Sequence, residues 1–140
     1  MTENARIIYI AGPYRHWRLD GTRDATQEAE ELADEARWAR VVAQAGAYPI
    51  QPLIASVHID DAMSEDDWVA ADLCLIARLR SNFDGILLRP GAFGTLADSV
   101  GAAAELEAAR AADLLILYGC QGEERIAEYL ETMRLPLAGE

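Results

Sequence analysis

The chain has 140 residues, of which 51% are hydrophobic and 26% charged. That is enough for one core, too ordered a composition for a disordered chain, and too broken in its apolar runs for a membrane helix of about 20 residues. Its 24 acidic against 12 basic residues give a net charge of −12, so nucleic acid is an unfavourable partner. Every basic residue is Arg, because the sequence holds no Lys; a P-loop lysine and lysine Schiff-base chemistry are excluded. Cys74 and Cys120 lack CxxC spacing and have only His16 and His58 for company. No metal site and no cofactor are expected, and the thiols fit a reducing cytoplasm. The start Met-Thr-Glu-Asn has no basic region leading into an apolar stretch, so no signal peptide is expected.

Arg6–Ala11 is a short apolar run closed by Gly12-Pro13 and reads as a first buried strand. Tyr14–Asp24 is a loop rich in Arg, His, Trp and Gly. Helical spacing then runs over Ala25–Ala45, with Leu32, Ala36, Ala39 and Ala43 as the apolar face and Glu28, Glu31, Asp34 and Glu35 mostly elsewhere, and Gly46 as the stop. Ala47–Ile50 predicts a short strand and Gln51–Met63 a second long loop. Ser64 caps the next helix, whose apolar face is Trp68, Ala71, Leu75 and Leu79. Phe83–Leu88 is a third strand, Arg89–Asp98 a Gly- and Pro-bearing loop, and Ser99 the cap of an alanine-rich helix to about Ala112. Asp113–Tyr118 is a fourth strand and Glu123–Arg134 a last helix.

Strict β-α alternation predicts an α/β fold: one domain over 1–140, three layers, a parallel sheet wound on both faces. In such sheets ligands bind beyond the carboxyl ends of the strands, which singles out the loops 12–24, 51–63 and 89–99. Glu105 is the first candidate for chemistry. Its helical neighbours Gly101, Ala102, Ala108 and Ala109 are small, leaving room for a ligand beside a carboxylate that is hard to bury unpaired. The plain alternative is a good helix former on a partly exposed face. Asp72 lies on or beside the apolar face of its helix, where Asp has no propensity to be; pairing with Arg78 or Arg80 is its plain reading. Two carboxylates in different environments are what glycosidic bond cleavage requires. Ser99 and Gly101 at a helix start suit an anion, or form a simple cap. Gly12, Pro13, Tyr14, Arg15 and Arg18 offer two guanidinium groups and aromatic surface, or a solvated loop. Tyr9, two residues from the end of the first strand, reaches the site or packs in the core. His58, Asp60 and Asp61 lack metal spacing and read as loop residues.

Ile8-Tyr9-Ile10-Ala11-Gly12-Pro13-Tyr14, the run Tyr48-Pro49-Ile50-Gln51-Pro52, Asp72, and Ser99-x-Gly101-x-x-x-Glu105 occur in that order. Over roughly residues 6–118 the chain resembles the nucleoside 2-deoxyribosyltransferase superfamily, especially its small bacterial and phage members, and the related 2'-deoxynucleoside 5'-phosphate N-hydrolases. The resemblance implies a flavodoxin-like doubly wound fold and a homodimer or dimer of dimers. It implies Glu105 as nucleophile at the anomeric carbon, Tyr9 orienting it, and Asp72 contacting the base. Ser99, Gly101 and the loop from Gly12 to Arg18 would hold a 5'-phosphate. Ser99 stands where the transferases have Asp, which favours hydrolysis. The loop 12–24 departs from the phosphohydrolases' glycine-rich pattern. Pro90–Asp98 also resembles the Pro-Gly-Gly-x-Gly-Thr-x-x-Glu signature of cytokinin-releasing phosphoribohydrolases, with Ala92 for a Gly and Asp98 for the Glu. A nucleotide-binding sensor or accessory module without turnover is the alternative of another class.

Overall fold

The computed structural model describes residues 5–13, 15–90 and 100–133. Four parallel strands form one sheet in the order β2-β1-β3-β4: β1 is Ile7–Ala11, β2 Tyr48–Ile50, β3 Gly85–Leu88 and β4 Leu115–Tyr118. Among the described residues five α-helices accompany them: α1 Ala25–Gln44, α2 Pro52–Ser56, α3 Glu65–Ala77, α4 Val100–Ala111 and α5 Glu123–Thr132. This is the doubly wound arrangement that the alternation predicts.

Period-two alternation in the strands divides the core into two layers. Ile8, Ile10, Leu87 and Leu117 pack with Trp38, Ala39 and Val42 of α1 and with Ile126 and Leu130 of α5. Tyr9, Ala11, Ile86 and Leu88 face the other way, onto Ile76 of α3 and Ala109 of α4. The chain leaves β1 towards β2 on one side and reaches β3 on the other. The switch in strand order therefore lies between the carboxyl ends of β1 and β3, at Gly12 and Arg89. At the other end of β3 the buried Asp84 accepts from the Ile7 N–H at 2.8 Å and the Arg80 N–H at 2.7 Å, which ties the strand starts together.

Three expectations change. The inward face of α1 is Glu28, Glu31, Glu35, Trp38, Ala39 and Val42, whereas Ala36 and Ala43 are exposed. The carboxylates turn in because each finds a partner there, as described below. In α3 the face towards the core runs through Asp72 and Ile76, and Ala71 and Leu75 point outward, so the apolar stripe sits about one position away from the sequence reading. Finally, Gln51–Met63 is not a plain loop. It holds α2 and a 3-10 turn at Asp60–Ala62. Pro52 opens α2 with its φ already helical, while the acceptor for the first N–H groups comes from α1. Gly46, at φ +92°, ends α1 as its residue type requires.

Candidate functional site

A cleft of about 380 Å³ opens at the strand switch. Gly12 and Pro13 follow β1, Pro52, Leu53 and Ser56 come from α2, and Gly101, Ala102 and Glu105 come from α4. Glu65, Trp68, Val69 and Asp72 line it from α3, and Arg15, Trp17 and Asp60 close its mouth. The cleft therefore sits where doubly wound sheets bind ligands.

Its floor is a cluster of acids around one phenol. Tyr9 is wholly buried, and its hydroxyl closes no hydrogen bond of normal geometry. Glu105 and Asp72 are nonetheless close enough to act on it. Burial first, then the charges of Glu105, Asp72 and Glu35, hold the phenol well above its usual range. Glu105 has its Oε2 shut off from solvent and unpartnered. Burial, then the charge of Asp72, pushes its carboxyl up to about 8, with Tyr9 and Arg89 pulling the other way. Burial raises Asp72 as well, against the pull of Tyr9.

The surroundings of this floor are held by residues that carry no motif. Glu35 of α1 is fully buried and accepts the N–H groups of Leu53 at 3.2 Å and Ile54 at 3.1 Å, serving as a side-chain cap for α2 from another element. Burial lifts it to about 7, against those hydrogen bonds and Arg89. Arg89, 0% exposed at the end of β3, lies 3.2 Å from Glu31 and 3.0 Å from Asp34 and also donates to the Pro13 carbonyl. A Cβ on Gly12 would stand 2.5 Å from the Arg89 side chain, so only glycine lets this arginine pass under the first loop. His16 continues the latch: its N–H donates to Glu28 at 3.0 Å, and its Nε2 lies 3.0 Å from Glu31. Arg23 joins Glu28 at 2.9 Å to Asp60 at 3.1 Å, and the Trp68 indole donates to the Asp60 carbonyl at 2.8 Å.

The fold thus brings Tyr9, Asp72, Glu105, Gly12, Pro13, Arg15 and Gly101 to one place. Arg18 is not among the lining residues; it is exposed and faces Asp24 at 3.9 Å. Arg15 lies 3.5 Å from Glu65. Asp72 pairs with neither Arg78 nor Arg80; Arg80 binds Asp84. Tyr14, Ser99 and the part of the phosphoribohydrolase-like loop from Gly91 to Asp98 lie outside the described residues. Asp60, which reads as a loop residue, lines the cleft, whereas His58 and Asp61 do not. Glu35, Arg89 and Trp68 do not stand out in the sequence as site residues, whereas Trp17, one of the aromatics the first loop offers for stacking, lines the cleft and is not tucked into the core. For Glu35 a signal exists: extending the Trp38–Val42 stripe back by helical steps lands on Glu35, Glu31 and Glu28. Among the described residues no group of three His, Cys, Asp or Glu side chains is placed to hold a metal ion, and no helix is long and apolar enough to cross a membrane.

No family model matches the chain, and no curated protein shows significant similarity to it.

Proposed function

We propose that the protein cleaves or transfers the N-glycosidic bond of a nucleoside or nucleoside 5'-monophosphate, with Glu105 as nucleophile, Tyr9 orienting it and Asp72 contacting the base. One observation carries this reading. Carboxylates from two different helices, Asp72 and Glu105, converge on the buried Tyr9 hydroxyl at the floor of a strand-end cleft. Two carboxyl groups that share an environment hold protons unequally, which divides the work between attack on the anomeric carbon and assistance to the leaving base. The two indoles Trp17 and Trp68 offer the base a stacking surface.

The test is a screen of nucleosides and their monophosphates for free base by chromatography. Glu105→Ala should lower base release by about 10³-fold or more, since the attacking group is gone. Release at near the parent rate would overturn the assignment. The binding module without turnover is favoured by one specific observation: with its carboxyl pushed up to about 8 by burial, Glu105 is mostly protonated at neutral pH and so a poor nucleophile. Tight binding of a nucleoside with no base release would select that reading.

A further inference from the structure

The charges lining the cleft are unequal. Among the described residues four carboxyl side chains, Asp60, Glu65, Asp72 and Glu105, line it, against the guanidinium of Arg15. Arg15 is engaged by Glu65 at 3.5 Å, and Asp60 is engaged by Arg23 at 3.1 Å. Among the described residues Asp72 and Glu105 have no cation within ion-pair distance, and Glu105 Oε2 is buried without any partner. Arg89 acts on Glu105 only from further off, being held by Glu31, Asp34 and Pro13. Two indoles, Trp17 and Trp68, line the same cleft. Among the described residues this set offers a phosphate the start of α4 at Gly101 and an Arg15 already engaged, whereas it offers a flat cation two indoles and, in Asp72, a carboxylate with no ion pair.

Resting on the glycosidase reading, we propose that the cleft selects a glycoside whose base is a delocalised cation, a pyridinium-type or N-alkylated nucleoside, over neutral nucleosides and 5'-monophosphates. The chemistry follows from the charge. When the bond between the anomeric carbon and the ring nitrogen breaks, its electron pair passes to that nitrogen and the base departs neutral. No proton has to be delivered to it. The anomeric carbon is taken by Glu105 and then by water, whose oxygen stays on the sugar while one proton leaves to solvent. A cation over the cleft floor also favours the ionised form of Glu105, against the burial that keeps it protonated.

Binding is tested apart from turnover with probes that lack a glycosidic bond. By calorimetry and indole fluorescence, the 1-methylnicotinamide cation should bind the native protein about tenfold or more tightly than neutral nicotinamide, given a cation–π term and the Asp72 carboxylate. The preference should shrink with added salt and fall severalfold in Asp72→Asn. Equal affinity of the two probes, or tighter binding of nicotinamide mononucleotide than of nicotinamide riboside, would overturn the proposal. Base release is then measured on nicotinamide riboside and on neutral nucleosides. Release from neutral nucleosides without preference for the cation sinks the cation selectivity alone. A clear cation preference with no glycoside cleaved leaves the cation site standing and sinks the glycosidase reading.

Discussion

At the scale of single residues, Glu105 and Glu35 are held in a state that opposes their ordinary chemistry. Burial raises them to about 8 and about 7 from an ordinary 4.5. The sign follows from linkage. An acid whose value is raised on folding favours the folded state fully below the unfolded value, and that advantage is lost as pH climbs through the folded value. The protein should therefore lose stability between about pH 4.5 and pH 8 from these two groups. Glu105→Gln removes one titration. It should be more stable than the parent at pH 9 by roughly 1–3 kcal/mol, with the gap closing near pH 4.5. Denaturant midpoints at both pH values check this, and a gap that is the same at each would refute it. Glycosidase activity that depends on ionised Glu105 should rise with pH towards about 8 in the absence of a bound cation.

At the scale of elements, α2 is five residues long and cannot hold itself together. Its first turn depends on Glu35, which belongs to α1. Glu35→Leu keeps most of the volume and deletes the acceptor. Amide exchange at Leu53 and Ile54 should then accelerate about tenfold or more, while the core strands keep their protection. Because Pro52, Leu53 and Ser56 form one wall of the cleft, nucleoside affinity should fall with it. Unchanged exchange at these two amides would show that α2 is held by packing alone. Alanine spacing pointed to Ala36 and Ala43, but a small residue is tolerated on either side of a helix, whereas Trp38 and Val42 have to be buried. The bulky pair defines the stripe, and Glu28, Glu31 and Glu35 follow it inward because Arg23, His16, Arg89 and the α2 N–H groups receive them.

For the molecule as a whole, the cleft is walled by loops and short helices with an exposed Trp17, 61% accessible, at its mouth. Glycosyl chemistry favours exclusion of bulk water. The outward sides of α3 and α4 carry small and apolar residues: Ala71, Cys74, Leu75, Ala103 and Ala111 are exposed. We therefore expect a symmetric homodimer or dimer of dimers, with α3 and α4 near the interface and a neighbour completing each site. Light scattering at micromolar concentration should give twice or four times the 15.3 kDa chain mass. A monomer that still releases base would show that each chain builds its site alone. Leu75→Arg should favour the monomer.

The sequence alone determined the order of the elements and the wound sheet, because alternating short apolar runs and amphipathic stretches admit few other packings. It also marks Asp72 and Glu105 as carboxylates on apolar or small-residue helix faces, each with a plain alternative, and Tyr9 as a phenol near a strand end that reaches the site or packs in the core. Only the tertiary structure decided that these three meet, since they lie on β1, α3 and α4 and the distance between them depends on how two helices cross one sheet. The same holds for Arg89. Nothing local distinguishes an arginine after a strand from a solvated one. Its burial exists only because Gly12 leaves a passage and Glu31, Asp34 and the Pro13 carbonyl, distant in the chain, supply its partners.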